Sequence, residues 1–216
     1  MLAIVSPAKK MNFDEIKRPL VYTDPDFFSD TKKLVKSVRK LSHFDIQKLM
    51  NLSEPLTELN FQRFKAFKSK QSQVNSKQAA LAFAGDTYTG LDSESLSDED
   101  FNYAQDHLRI LSGLYGLLRP LDLIQPYRLE MAQKFSPFDG SKSLNAFWSK
   151  RLPQFFNLKA EEVGCKFIAN LASEEYNKVV LRPELNLQVI NFSFKVETEQ
   201  GLKNISVFAK QARGSM

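Results

Sequence analysis

The sequence predicts an α/β protein: a mixed sheet flanked by helices, in a single domain over residues 1–216. Three observations point there. The apolar run Leu2–Val5 stops at Ser6-Pro7, which suits a buried strand. Long stretches with apolar residues at helical spacing follow it. Two further strand candidates, Lys166–Leu171 and Leu187–Val196, come late in the chain. A chain of 216 residues with 43% hydrophobic and 25% charged residues has ordinary globular composition, which excludes a disordered tail or a fibrous repeat. The 18 Phe, against 1 Trp and 6 Tyr, predict a core built largely from phenylalanine.

The elements follow in order. From Asp26 to Leu41, Phe27, Leu34, Val35, Val38 and Leu41 recur at helical spacing with lysines between them. A second helix is expected over Asp45–Asn51. A third begins at Ser53, an N-cap residue with Pro55 in the first turn, and runs to Phe67. Lys68–Lys77 reads as a loop, and Ala79–Ala84 is too short to assign. Gly85–Gly90 reads as a turn between two glycines. Ser97-Asp98-Glu99-Asp100 carries the pattern of a capped helix start, and that helix is expected to run to Leu111. Gly113 and Gly116 then interrupt it. Leu144–Phe156 reads as a helix with a kink or break at Pro153. Leu187–Val196 and Asn204–Phe208, with Gly201 between them, predict a hairpin.

Charge is unevenly spread. Residues 1–80 carry 15 Lys and Arg against 8 Asp and Glu, residues 81–130 carry 3 against 9, and the rest 12 against 8. A basic first third can attract polyanions, although Lys32, Lys33, Lys36, Arg39 and Lys40 are better explained as the solvated face of a helix. A single cysteine, Cys165, makes no internal disulfide and suits a cytoplasmic location. The N-terminus does not read as a signal peptide, and no apolar run spans a bilayer, so no membrane partner is expected. One Cys and two His are too few for a zinc site, and no nucleotide-loop motif is present, so neither metal nor cofactor is expected.

Several segments carry polar chemistry beyond what packing needs. Ser6 and Lys9 follow the first strand, where α/β proteins place ligands. Asp86 and Tyr88 lie between the paired glycines. Arg128 and Glu130 alternate with Leu129, so in extended chain they share a face; Arg can clamp an anion while Glu orients it or acts as a base. Asn170 and Ser173 stand at a strand end. Lys210 and Arg213 are three apart, on one face if a helix forms there. In Gly113-Leu114-Tyr115-Gly116 a helix is followed by two glycines, as in a helix-hairpin-helix element. Such glycines bring backbone N–H groups close to a phosphate, and Arg119 follows nearby.

In this order the segments resemble the YaaA family of bacterial peroxide stress proteins. The shared runs are Ser6-Pro7-Ala8-Lys9, Gly85–Leu91, Leu111–Gly116, Leu118–Asp122, Pro126–Met131, Asn170–Tyr176 and Ala209–Gly214. The resemblance implies a cytosolic protein that aids survival of hydrogen peroxide by limiting iron-dependent damage to DNA. It also implies a mixed α/β fold with a basic cleft, and a helix-hairpin-helix that binds double-stranded DNA. Carried over by position, the DNA-contacting residues are Gly113, Leu114, Tyr115, Gly116 and Arg119. The cleft residues are Ser6, Lys9, Asp86, Tyr88, Arg128, Glu130, Asn170, Ser173, Lys210 and Arg213. The rival expectation is an enzyme that takes a nucleobase or a small phosphorylated anion in that cleft. The chain departs from the family at Lys10 and Ala132. It also stops at Met216, where members continue through a further helix, so apolar surface near Phe208 is expected to be exposed.

Overall fold

A computed structural model describes residues 1–16 and 18–216. In chain order its elements are β1 (Leu2–Val5), β2 (Lys10–Met11), α1 (Phe28–Val38), α2 (His43–Met50), α3 (Glu54–Ala66), β3 (Lys77–Gln78), α4 (Ala79–Ala82), β4 (Phe83–Ala84), α5 (Asp86–Leu91) and α6 (Asp98–His107). Then come β5 (Leu108–Ser112), β6 (Gly116–Leu118), β7 (Leu123–Ile124), α7 (Leu144–Ser149), α8 (Leu152–Glu162), β8 (Phe167–Asn170), α9 (Glu174–Asn177), β9 (Gln188–Asn191), β10 (Val196–Thr198), β11 (Gly201–Lys203) and α10 (Ser206–Ser215).

The main sheet is mixed, in the order β6-β5-β1-β8-β9. Strands β5, β1, β8 and β9 run parallel, and β6 returns antiparallel on β5. The first strand is therefore the middle one. Parallel pairing on both sides buries it, which explains its unbroken apolar run: Leu2 and Ile4 have no exposed surface. From β1 one neighbour lies to the left and the other to the right. The crevice beyond the carboxyl ends of β1 and β8 is where such sheets take ligands.

Phenylalanine is only part of the core. Phe64, Phe101, Phe147 and Phe156 are fully buried with Trp148 and Tyr115, but Phe44, Phe138, Phe167 and Phe208 are exposed. Helix α1 buries Leu34, Val35 and Val38 and leaves Lys32, Lys33 and Lys36 in solvent, with Lys40 exposed just after it. Helix α2 begins two residues earlier than expected, because Ser42 and Asp45 form a reciprocal capping box. The expected Ser97–Asp100 box is present and opens α6.

Other expectations are corrected. The α6 helix does not continue to Leu111: it ends at His107, and Leu108–Ser112 pair with β1 as strand β5. Gly85–Gly90 is a linker residue and a short helix rather than a turn. The break expected in Leu144–Phe156 is present but falls before Pro153, between α7 and α8, so that Pro153 stands in the first turn of α8, where its missing N–H costs nothing. The C-terminal hairpin is tighter than expected, β10 on β11 around Gly201, whose φ is +94°. β9 joins the main sheet instead, and Ser206–Phe208 open α10.

Candidate functional site

The polar residues gather where β1 and β8 end. Pro7 stops the ladder and turns the chain, so Ser6 stands at the lip of the sheet. Its hydroxyl accepts the Ser173 N–H at 2.8 Å and lies 3.1 Å from the Ser173 hydroxyl. Its carbonyl accepts the Tyr88 hydroxyl at 3.1 Å. Ser6 thus ties together the ends of two parallel strands and helix α5.

Helix α5 is aimed by the β2–β4 pair, in which Lys10 lies opposite Ala84. It carries Asp86, whose carboxylate lies 3.5 Å from Lys210 Nζ on α10. The two helices cross at closest approach through glycines. A β-carbon on Gly90 would lie 2.0 Å from the Gln211 carbonyl oxygen. Lys210 and Arg213, one turn apart on α10, therefore both reach the cleft.

The opposite wall is the extended segment 127–130. Glu130 Oε1 takes Arg128 Nη2 at 3.2 Å and Nε at 3.3 Å, and Oε2 takes Lys9 Nζ at 2.8 Å. Gly113 makes this placement possible. A β-carbon there would meet the Leu129 carbonyl oxygen at 2.2 Å. The floor is formed by Tyr88, Tyr127 and Tyr176, all buried. Burial pushes each of these hydroxyls well above the ordinary tyrosine range; the neighbouring tyrosines add to the effect at Tyr88 and Tyr176. They stay protonated, so the floor is neutral and hydrogen-bonding.

The result is one concave cleft of about 380 Å³. It collects nine of the ten cleft residues expected from the sequence. Asn170 is the exception. Its amide donates to Asn191 Oδ1 at 2.7 Å and accepts the Ala172 N–H at 3.2 Å, so it locks β8 to β9 behind the wall. Lys10, Tyr127, Glu175 and Tyr176 line the cleft as well. Each lies inside or beside a segment singled out from the sequence, and that adjacency was the available signal. Five cations face three carboxylates, an excess of two positive charges.

The residues expected to touch DNA are placed differently. Residues 113–115 form the turn of the β5–β6 hairpin, not of a helical hairpin, Gly116 opens β6, and all four residues are buried. The Tyr115 N–H donates to Ser112 Oγ, and the Gly113 carbonyl accepts Trp148 Nε1 at 2.9 Å. Gly116 has φ +72°, and a β-carbon there would strike the Trp148 ring at 2.4 Å. These glycines serve packing and leave no N–H for a phosphate. Arg119 is committed to Asp122, at 3.0 Å, and to the Asp24 carbonyl. Among the described residues no cluster of three or more His, Cys, Asp or Glu could hold a metal ion, and no helix is long and apolar enough to cross a membrane.

Comparison with known proteins adds the family. The model of the family described as peroxide stress protein YaaA matches residues 1–216. The chain belongs to the YaaA peroxide stress family. It is similar to a UPF0246 protein of Jannaschia sp. (strain CCS1), 47% identical over 216 residues, covering 100% of this chain and 82% of the relative. A UPF0246 protein of Saccharophagus degradans is 45% identical over 216 residues and is covered to 84% of its length. One from Maricaulis maris is 47% identical, covered to 81%. Within this YaaA chain the seven sequence segments that carried the resemblance divide by role. Those around Ser6, Asp86, Arg128, Ser173 and Arg213 build the cleft, and those around Gly113 and Arg119 build the packing beneath and beside it.

Proposed function

We propose that this YaaA family member serves the peroxide stress response by binding a small anionic ligand, a nucleobase- or phosphate-bearing metabolite, in the cleft at the ends of β1 and β8. The observation that carries this reading is convergence. Residues from five distant parts of the chain supply cations, hydroxyls and an apolar floor to one concave site of about 380 Å³. That lies in the roughly 300–1,000 Å³ range of small-molecule sites. Equilibrium dialysis against phosphate-bearing metabolites tests it. Saturable binding by the parent chain, weakened by Lys210→Ala, is expected; absence of binding by folded protein overturns it.

A second reading, binding of double-stranded DNA, has its own support in the exposed Lys32, Lys33 and Lys36 on α1, Lys40 just beyond it, and the net charge of +7 over residues 1–80. Contact would run through these side chains and not the buried hairpin. Affinity would then be of the non-specific kind, about 10⁻⁴ to 10⁻⁶ M at physiological salt. Fluorescence anisotropy of a labelled duplex across a salt series, with a Lys32, Lys33, Lys36 and Lys40 quadruple Ala variant, separates this from the cleft. In either reading the proposed outcome in the cell is less iron-dependent oxidative damage. Peroxide survival of cells carrying the Lys210→Ala chain measures that.

A further inference from the structure

Most of the charge in the cleft is already neutralised internally. Lys9 and Arg128 share Glu130, and Lys210 faces Asp86. Arg213 is different. It lines the cleft half-buried on α10, and among the described residues it has neither a carboxylate nor a hydrogen-bond acceptor as partner. A guanidinium presents five N–H donors in a planar fork that matches phosphate oxygens two at a time. Among the described residues none of its nitrogens is a buried atom left without a partner, so the fork is open to solvent in the cleft and available to an anion. Lys10, exposed on the rim and without a partner among the described residues, adds a second positive charge.

The opposite wall asks for a different group. Glu130 is only 14% exposed, and Oε1 is filled by two guanidinium N–H groups, while Oε2 holds Lys9 alone and keeps an acceptor position. Between the two walls lie the protonated tyrosines and Leu129 and Leu171, an apolar surface with no charge. A ligand complementary to both walls is anionic at one end. At the other it carries a flat, largely apolar group with an N–H to donate.

We propose that the ligand is a mononucleotide, its phosphate on Arg213 and its base over the tyrosine floor with an N–H toward Glu130. This rests on the small-ligand reading above and names its substrate class. The placement also assigns roles: Arg213 sets affinity for the phosphate, and Glu130 sets preference for the base.

Calorimetric titration of the full chain with the four nucleoside 5′-monophosphates, the corresponding nucleosides, ribose 5-phosphate and inorganic phosphate tests it, with folding of each variant checked by circular dichroism. At least one mononucleotide should bind about tenfold or more tighter than both ribose 5-phosphate and its own nucleoside. Arg213→Gln should weaken that mononucleotide about tenfold or more, the usual effect of losing a charge-assisted hydrogen bond, and leave the nucleoside unchanged. Glu130→Gln should narrow the margin over ribose 5-phosphate, because it removes the carboxylate charge, replaces one acceptor oxygen with a donor amide and frees Lys9 and Arg128 for any anion. Ribose 5-phosphate binding as tightly as every mononucleotide overturns the base site but leaves the small-anion reading standing. Unchanged mononucleotide affinity in Arg213→Gln overturns the phosphate site. Binding of none of these probes by the folded parent chain overturns the proposal and removes the support for small-anion binding as well.

Discussion

Gly214 packs directly onto the carbonyl oxygen of Thr87: a β-carbon on the glycine would sit 1.8 Å from that oxygen. Helix α10 is thereby docked on α5, with Gly90 making the reciprocal close approach to Gln211 and Ser215 Oγ donating to the Gly90 carbonyl at 3.1 Å. The neighbour in each case is backbone and cannot rotate away. Gly214→Ala should therefore cost about 1–3 kcal/mol of the α10–α5 docking, as overpacking does in tight sites. Hydrogen exchange at the α10 amides should rise selectively, and any ligand affinity that depends on Lys210 and Arg213 should fall with it. Protection unchanged across α10 would show that the crossing relaxes without penalty.

Gly113 makes a second such contact, beneath Leu129 and Glu130. Gly113→Val is expected to lower thermal stability, by a free energy of about 1–3 kcal/mol or more. The effect on DNA should follow loss of fold, not loss of a phosphate contact. At a temperature where the variant is still folded by circular dichroism, its duplex affinity should match the parent. Loss of duplex binding by a folded Gly113→Val chain would contradict the buried placement of this hairpin.

Arg119 offers the sharpest contrast between a charge that looks functional and one that is structural. Asp122 is fully buried, accepts the Arg119 N–H at 2.7 Å and the Thr23 hydroxyl at 2.6 Å, and faces the Arg119 guanidinium. Burial pushes its carboxyl upward, and Arg119 pulls it back. Arg119→Met should destabilise the chain by about 3 kcal/mol, since it strands a buried carboxylate. Urea denaturation measures this. Anion and duplex affinity of the folded variant should be unchanged.

Asn170→Ala should behave likewise. It unpairs Asn191 Oδ1 and the Ala172 N–H, at a cost of about 1–3 kcal/mol. Its effect should appear in the denaturation midpoint and not in ligand affinity at a temperature where the chain is folded.

The two capping boxes make stability depend on pH at the acid end. The Ser42 hydroxyl and N–H hold the Asp45 carboxyl below its ordinary value, and Ser97 does the same for Asp100. A carboxyl depressed on folding contributes stability that is fully present above its unfolded value and lost as pH falls through its folded one. Acidification below about pH 4 should therefore loosen the starts of α2 and α6. NMR titration should find Asp100 returning toward the ordinary value in Ser97→Ala; an unchanged midpoint would show that the cap does not set it.

Much of this protein was legible before its structure. The apolar Leu2–Val5 run stopped by Pro7 implied a buried strand, and the Ser97–Asp100 pattern implied a helix start; both are local features that hydrogen bonding and periodicity enforce on their own. The cleft residues were legible because polar side chains placed at element ends have no packing duty to explain them. What the sequence could not carry was the partner of each segment. Leu108–Ser112 continues a helical pattern, yet pairing with β1 makes it a strand, because a parallel ladder in the centre of the sheet outweighs helix propensity. The same pairing turned Gly113–Gly116 into a buried hairpin whose glycines admit a neighbouring backbone and an indole ring. Arg119, Arg128 and Arg213 are alike in one dimension. Tertiary structure gave the first a buried aspartate and the second a shared glutamate and, among the described residues, left the third without a partner at the cleft, since only folding decides which charges lie within reach of one another.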